Sequence, residues 1–433
     1  MAIDERRIAI RPRTYIEMPK HSCVGGQMTL HPRPMRRLHI LLAGAVAVAG
    51  ATALVGNRGA TPAEVRGAPL DPSAGEIVHP GPGQPGLGHA DPGHAAAAAA
   101  AAIADLIDLD QRTLSADGAH YEARLKDGRL AILTLDPALQ AMAERLLTEA
   151  RAPRGAIVAM APDGRILALA GRRAEPTAKK ARDAAKDASS AATKGAPKDS
   201  AAAFDWRLAT ETWAPAASVF KLVTASALVA AGVDPSDKVC FHGGLRSVLE
   251  SNLRDDRRDS RCENLIYGVA HSNNAILGKL AFQKLAPPEL TRFAHELGVA
   301  DSLPGSELRG TAGAVDIPAV RDLNFAQAAA GFSGSRLSAV GGALLAATFA
   351  DDGEQPVPRL VASIDGVAVL APARRRAVTA EIAHAVGRMM LATCEFGSAA
   401  RSFGRHQPIH VAGKTGTLSR TEPFYMEHSW FVG

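Results

Sequence analysis

The sequence has few cysteines and few aromatic residues for its length. It contains 4 cysteines in 433 residues, and aromatic residues account for 4%. A small disulfide-stabilised scaffold needs a much denser cysteine pattern, and these scattered cysteines lack the spacing of a zinc module. The scarcity of aromatic side chains also argues against a platform that stacks nucleic-acid bases. These shortages exclude three classes of protein before any motif is considered.

The charge balance is mildly basic and uneven along the chain. Charged residues make up 21% and apolar residues 47%, with a formal net charge of +5. This composition is typical of globular proteins and not of disordered chains. Much of the basic excess precedes the first long apolar run, which favours orientation at a membrane over nucleic-acid binding. The residues concerned are Arg6, Arg7, Arg11, Arg13, Lys20, Arg33, Arg36 and Arg37.

Residues 38–56 form the longest apolar stretch without a formal charge. They approach the ~20 residues that a helix needs to cross ~30 Å of hydrocarbon. The basic cluster before this stretch predicts a short cytoplasmic segment, 1–37, followed by one transmembrane anchor. Two other interpretations are a buried helix of a soluble domain and a cleaved signal peptide, because Ala51–Ala53 resembles a small-residue cleavage site.

Composition divides the rest of the chain. Residues 57–94 are rich in Pro and Gly and predict a flexible linker. Residues 95–153 predict a helix and a small lead-in region, and 154–433 predict the main domain. Residues 172–203, a Lys/Ala/Asp/Ser tract without apolar periodicity, predict a disordered surface insertion.

Local patterns predict the first elements of the folded part. Residues 121–135 predict two strands around an Asp-Gly turn. Residues 137–150 predict a helix with aspartate as N-cap and proline at its first position. Residues 155–170 contain two apolar runs around Pro-Asp-Gly, which predict a β-hairpin.

The first chemical motif is S-x-x-K, from Ser218 to Lys221. It begins an almost entirely apolar run that predicts a central helix from about Ala216 to Gly232. Positions i and i+3 share a helix face, so the lysine amine can reach the serine hydroxyl. A buried lysine loses its proton readily and can act as a base. Alone, the motif is a weak signal.

The second motif is S-x-N, with Ser272 and Asn274 just before another apolar run. These residue types also serve as ordinary helix N-caps.

The third motif is K-T-G, formed by Lys414, Thr415 and Gly416 and followed by Thr417. We expect a strand over 409–413 that ends in these small polar residues, which offer donors to a carboxylate. An edge strand with a protective lysine is the alternative.

Together the motifs are far more specific than each one alone. Each occurs once, and Ser272 follows Ser218 by 54 residues while Lys414 follows Ser272 by 142. This ordered set is typical of penicillin-binding proteins and β-lactamases. From about residue 130 to its end, the sequence resembles the transpeptidase domain of the penicillin-binding proteins. The resemblance implies an α/β (α+β) fold with an antiparallel sheet flanked by helices.

The resemblance also implies roles for the motif residues. Ser218 is the nucleophile, Lys221 its base, and Ser272 passes a proton to the leaving group. Asn274, Lys414, Thr415, Gly416 and Thr417 bind substrate. The implied reaction is D,D-transpeptidation of D-Ala-D-Ala stem peptides through an acyl-enzyme, which cross-links peptidoglycan. D,D-carboxypeptidation by the same acyl-enzyme is the alternative, and neither reaction needs a metal or cofactor.

Other expectations follow from this resemblance. Partners are peptidoglycan stem peptides, β-lactams, the membrane and a cell-wall synthesis complex, without nucleic acid. The orientation predicted for the anchor by the basic cluster before it implies a catalytic domain outside the cytoplasmic membrane. The alternatives are a serine β-lactamase, for which Glu307 would have to activate water, and a non-catalytic β-lactam sensor or scaffold.

The sequence departs from the family pattern at its end. The family sheet continues beyond a Trp-Phe-x-Gly strand, whereas this sequence stops at Gly433, which predicts a fragment or a sheet without one edge.

Cys240 and Cys262 flank a strongly charged loop. If the domain lies in an oxidising compartment, they form a disulfide. The alternative is a pair of buried thiols.

Overall fold

The computed structural model describes residues 102–173, 203–300, 302–303, 306–404, 409–420 and 426–433. The predicted anchor over 38–56 and the linker over 57–94 lie outside these ranges. Among the described residues, no helix is long and apolar enough to cross a membrane. The elements form a mixed fold of helices and antiparallel strand pairs, which confirms the predicted fold class.

The α-helices of the described part vary from one turn to more than four. Their bounds are α1 Pro137–Glu149, α2 Lys221–Ala230, α3 Leu265–Ala270, α4 Asn274–Lys284, α5 Pro287–Glu296, α6 Leu323–Ala329, α7 Ala339–Ala350, α8 Ala380–Glu395 and α9 Ala400–Phe403.

The strands are mostly short. Their bounds are β1 Thr113–Leu114, β2 Tyr121–Arg124, β3 Leu130–Leu133, β4 Arg154–Met160, β5 Ile166–Arg173, β6 Ala203–Phe204, β7 Ala214–Pro215, β8 Val239–Phe241, β9 Arg261–Glu263, β10 Gly313–Val315, β11 Ser335–Leu337, β12 Glu354–Gln355, β13 Val361–Ile364, β14 Val367–Ala368, β15 Arg375–Arg376, β16 Lys414–Arg420 and β17 Met426–Val432.

The lead-in region folds locally as predicted but is completed by a distant segment. β2 and β3 pair around the Asp-Gly turn, where Gly128 has φ of 92°. In α1, the Asp136 carboxylate accepts hydrogen bonds from the backbone N–H groups of Ala138 and Leu139, as an N-cap does. β3 also pairs with β13. The lead-in strands therefore share one sheet, β1-β2-β3-β13-β14, with residues more than 200 positions later.

The predicted hairpin forms from β4 and β5 and is longer than expected. Arg172 and Arg173 belong to β5 and pair with β6. The prediction of a disordered insertion over 172–203 is therefore wrong at both ends, because Arg172, Arg173 and Ala203 belong to paired strands. The tract between these strands lies outside the described residues.

The apolar segment after the first motif lies in the centre of the molecule. A short 3₁₀-helix, Ala217–Phe220, leads into α2, and every residue of α2 up to Leu228 is buried. The surrounding core includes α3, α4 and α8 together with β17. This burial explains why the segment is apolar on all sides and fixes the backbone on which the motif side chains stand.

Cys240 and Cys262 form a disulfide between paired positions of β8 and β9. Closing a loop of this length stabilises a fold by about 3 kcal/mol in the chain-entropy account. The bridge fixes the base of the loop at 242–260, which runs along the candidate site. The one free cysteine of the described residues, Cys394, is buried in α8.

Candidate active site

The candidate nucleophile lies on the 3₁₀-helix that enters α2. Ser218 is its second residue, and Lys221 is the first residue of α2. Their spacing brings Lys221 Nζ to 2.8 Å from Ser218 Oγ. The preceding residue, Ala217, has φ of +49° and is buried. An L-residue in the left-handed region costs roughly 1–2 kcal/mol, so some strain is held beside the serine.

Lys221 is fully buried, and its amine has a complete set of partners. Nζ lies 2.7 Å from Asn274 Oδ1 and 2.6 Å from the carbonyl oxygen of Ala330, besides the Ser218 contact. A neutral amine has two N–H donors and one lone pair. A protonated Lys221 would donate to all three oxygens, whereas a neutral Lys221 that donates to Asn274 and Ala330 has its lone pair free for the serine hydroxyl. Burial, and then the nearby Lys414, hold the pKa of Lys221 well below its ordinary value.

Ser272 reaches the site through the end of α3. The backbone N–H of Ser272 bonds to Val269 O, and that of Asn273 bonds to Gly268 O. This pair of bonds is a Schellman motif, which requires a left-handed residue after the helix. Ser272 occupies that position with φ of +55°. The turn projects the serine side chain toward the strand that carries Lys414.

The second motif serves both as a helix cap and as part of the site. The Asn273 side chain accepts the Ile276 N–H and caps α4, as the capping alternative predicted for this segment. Asn274, one residue later, contributes Oδ1 to Lys221 and Nδ2 to the carbonyl of Leu245 at 3.3 Å. The ordinary cap therefore positions the polar side chain that contacts the candidate base.

The third motif begins a strand and does not end one. The expected strand over 409–413 is wrong: β16 starts at Lys414, opposite Val432, and no residue of 409–413 is in a strand. Pairing with β17 sets this boundary, because the partner strand ends there. β16 contacts the nucleophile segment, since a Cβ on Gly416 would lie 3.2 Å from Val219 Cγ2. Trp430 Nε1 donates to Pro215 O and ties β17 to the same segment.

Lys414 is the second fully buried lysine of the site. Its Nζ lies 3.1 Å from Ser272 Oγ and 2.8 Å from the carbonyl oxygen of Thr415. Burial lowers its pKa to about 7. Two positive charges repel each other strongly in a buried site, so states in which at least one of the two lysines is neutral are favoured. The site can therefore hold one neutral amine and one cation.

The structure brings the remaining motif residues to the same strand. Gly416 is buried against the nucleophile segment, and Thr417 is exposed one residue further. The Thr415 hydroxyl lies 2.5 Å from Ser398 Oγ. Ser398 follows α8, and its backbone N–H bonds to Ala270 O at the end of α3. It therefore links the segments of the second and third motifs.

Sequence reasoning missed three contributors: the Ala330 and Leu245 carbonyls and the Ser398 hydroxyl. The carbonyls carry no side-chain signal, and Ser398 lies in no recognisable motif. Only the tertiary fold brings them to the site. Within the described ranges, no three His, Cys, Asp or Glu side chains are grouped so as to hold a metal ion.

The site contains two serine–lysine pairs, Ser218 with Lys221 and Ser272 with Lys414, beside strand β16. This arrangement is that of an acyl-transfer site of the serine–lysine class. The family model described as the penicillin binding protein transpeptidase domain matches residues 155–433. The chain therefore belongs to the penicillin-binding protein transpeptidase family. This membership places it among the serine acyltransferases of peptidoglycan synthesis.

Solved structures show the same fold at low identity. Penicillin-binding protein A from M. tuberculosis, as an imipenem acyl-enzyme complex, is 21% identical with a TM-score of 0.52, covering 70% of this chain and 71% of that chain. The D,D-transpeptidase domain of a peptidoglycan glycosyltransferase from Eggerthella lenta is 24% identical with a TM-score of 0.51, covering 70% and 74%. A putative peptidoglycan glycosyltransferase from Atopobium parvulum is 20% identical with a TM-score of 0.53, covering 72% of each. No curated protein matches the sequence.

Proposed function

We propose that the protein is a D,D-transpeptidase that cross-links peptidoglycan stem peptides ending in D-Ala-D-Ala. The observation that carries this proposal is the environment of Lys221. Its amine has two hydrogen-bond acceptors and one hydroxyl within 2.8 Å. That set is satisfied by a neutral amine whose lone pair receives the Ser218 proton. A base prepared in this way activates a serine for attack on a carbonyl carbon.

In the proposed acylation, Ser218 Oγ forms a bond to the penultimate D-alanine carbonyl carbon while its proton moves to Lys221. The C–N bond to the terminal D-alanine then breaks. The proton on Lys221 passes through the Ser272 hydroxyl to the departing nitrogen, so that Lys221 is neutral again, and Lys414 supports that hydroxyl by contact. The product is an ester between Ser218 and the donor peptide.

Substrate binding is assigned to β16. Protonated Lys414, Thr415 and Thr417 attract the terminal carboxylate, and Gly416 lets the peptide backbone lie close to the strand. Backbone N–H groups of Ser218 and Thr417 are the proposed oxyanion donors. Each such donor stabilises the transition state by about 3–4 kcal/mol. In the second half-reaction, an amine of a neighbouring stem peptide attacks the ester carbon, and the ester C–O bond breaks. The proton of the amine passes back through Ser272 and Lys221 to Ser218.

The position of Glu307 disfavours the β-lactamase alternative. Its carboxylate is buried and accepts the backbone N–H of Leu360. Burial raises its pKa, which favours a neutral acid over a base. None of the hydrogen bonds in the described ranges joins Glu307 to Ser218, Lys221 or Ser272. We therefore assign it to packing against the segment that leads into β13.

We also propose that residues 38–56 anchor the protein in the cytoplasmic membrane, with the catalytic domain outside. The Cys240–Cys262 disulfide supports this location, because such bridges persist in oxidising compartments. A peptidoglycan-synthesis complex is the proposed setting.

Incubation of the full chain with a D-Ala-D-Ala stem peptide, with and without an acceptor amine, tests the proposed activity. Mass spectrometry should detect a cross-linked product and released D-alanine when the amine is present. Release of D-alanine without a cross-linked product would show carboxypeptidation instead. Absence of both, together with slow stoichiometric acylation by penicillin, would support the sensor alternative.

Acylation should follow a bell-shaped pH profile. The second-order rate constant rises as Lys221 loses its proton, because only the neutral amine is a base, and this occurs well below the ordinary lysine pKa. It falls around pH 7, where Lys414 loses the charge that attracts the carboxylate. Stopped-flow measurement with a fluorescent penicillin reports these pKa values of the free enzyme.

Lys414→Arg separates the two limbs of this profile. Arginine stays protonated throughout the accessible pH range, so the falling limb should vanish while the rising limb remains. A falling limb at the same pH in this variant would contradict the assignment to Lys414.

A further inference from the structure

The loop between β8 and β9 contacts the second motif through its backbone. The Asn274 N–H donates to Gly244 O at 2.7 Å, and Asn274 Nδ2 donates to Leu245 O at 3.3 Å. Gly244 has φ of +83°, and a Cβ there would lie 2.5 Å from Asn273 Oδ1. The two carbonyls are therefore held directly against the start of α4.

These contacts set the orientation of the Asn274 amide. Because Nδ2 is held at Leu245 O, Oδ1 is the atom that faces Lys221 Nζ. In the opposite orientation, an NH₂ group would face the amine, and Lys221 would lose one of its two acceptors. If the Leu245 carbonyl moved away, the Asn274 amide could rotate, and the lysine lone pair would no longer be directed at the Ser218 hydroxyl.

A buried polar network holds this loop in place. His242 Nδ1 lies 2.6 Å from Asp259 Oδ1. Asn252 Nδ2 donates to His242 O at 2.9 Å, and Asn252 Oδ1 accepts the Leu249 N–H. The segment that contains Gly244 is therefore fixed at both ends.

The same network is anchored on α4. Lys279 lies on that helix and is 1% exposed, and its Nζ donates to Asp259 Oδ2 and to Cys240 O, each at 2.8 Å. Burial opposes ionisation of Asp259, but hydrogen bonds from Lys279 and His242 hold its pKa below the ordinary value. An ionised Asp259 thus connects the loop and hairpin to the helix that carries Asn274.

We propose that Asp259 is a positioning residue for the candidate active site. Through His242 and Lys279, it keeps the Gly244 and Leu245 carbonyls against Asn274 and so maintains the orientation of Lys221. This inference rests on the proposed function of Lys221 as the base. It predicts that Asp259 affects the rate of acylation and leaves noncovalent binding of the β-lactam unchanged.

Ser251, His242 and Asp259 also have the order of a nucleophile, base and acid, with 3.0 Å between His242 Nε2 and Ser251 Oγ. Two contacts argue against independent catalysis. Lys279 occupies the second carboxylate oxygen and offsets the charge that would stabilise an imidazolium. Asn252 Nδ2 lies 3.2 Å from Nε2 and competes for the same lone pair. The arrangement suits a fixed structural link.

The test compares acylation of full-length wild type, Asp259→Asn and Asp256→Asn by a fluorescent penicillin. Asparagine keeps the shape of Asp259 but removes its charge. We expect the first-order acylation rate to fall about 10–100-fold, as small misplacements of catalytic groups cause, with an unchanged dissociation constant for the noncovalent complex. Asp256, on the same turn, accepts hydrogen bonds from Arg258. Among the described residues no hydrogen bond joins its carboxylate to His242 or Lys279, so Asp256→Asn should acylate at nearly the wild-type rate.

A double-mutant cycle with Asn274→Ala identifies the route of the effect. If Asp259 acts through Asn274, Asp259→Asn should cause little further loss in the Asn274→Ala background. Additive losses would overturn the proposal, as would an equal change in binding and rate. If Asp259→Asn does not fold, His242→Asn replaces it, because that change keeps the Lys279–Asp259 pair.

The same experiment separates this inference from the proposed function. A wild-type chain that is not acylated at Ser218 would refute the function itself. Normal acylation of the wild type together with wild-type rates in Asp259→Asn and His242→Asn would refute only the positioning role.

Discussion

Ser218→Ala is expected to abolish covalent labelling of the full chain by a fluorescent penicillin. The β-lactam carbonyl needs an oxygen nucleophile, and in the structure Ser218 Oγ is the hydroxyl beside the buried Lys221 amine. Alanine removes that oxygen and keeps the compact side chain that this 3₁₀-helix accommodates. A loss below detection is expected, because removal of the nucleophile leaves no site for the covalent bond.

Ser226→Ala is the matched control. Ser226 lies on α2, is fully buried, and donates to Leu222 O, so its loss tests whether any missing hydroxyl in this helix disturbs labelling. We expect full stoichiometric labelling of this variant and intact folding of both, measured by circular dichroism. Stoichiometric labelling of Ser218→Ala would refute the assignment of the nucleophile.

Local physics explains which parts of the site the sequence predicts. The contact between Ser218 and Lys221 follows from i, i+3 spacing on one helical segment. The Asn273 cap follows from residue type and the apolar run after it. The α1 cap and the β4–β5 hairpin have the same origin, because each depends on neighbouring residues only.

Residue type and spacing do not predict the remaining features. The left-handed conformation of Ser272 comes from the Schellman turn that ends α3, a position that glycine usually occupies. β16 begins at Lys414 because β17 provides its partner there. The Ala330 carbonyl reaches Lys221 across 109 residues of sequence. A serine in a position that glycine usually takes, a strand boundary set by its partner and a long-range carbonyl contact leave no signal in residue type, so the sequence could not predict these three features.

The role of Lys221 can be separated from that of a structural cation by Lys221→Arg. Arginine carries the same charge and more N–H donors, but it does not lose its proton in proteins. If Lys221 is the base, acylation by penicillin should fall about 10²–10⁴-fold, the usual contribution of general acid–base catalysis. Lys221→Met, which removes the amine and fills a similar volume, should cause a comparable loss.

Stopped-flow acylation, together with thermal unfolding, separates chemistry from folding. Lys284→Arg, an exposed position in the last turn of α4, controls for the substitution itself and should retain the wild-type rate. Lys221→Met leaves the Asn274 Oδ1 and Ala330 O acceptors without their donor, so a lower unfolding temperature is expected and the rate is compared below it. A Lys221→Arg variant that acylates at the wild-type rate would show that charge alone suffices, since a permanent guanidinium cannot accept the Ser218 proton. The proposed mechanism therefore requires both substitutions to fail for the same reason, the loss of a neutral nitrogen 2.8 Å from the serine oxygen.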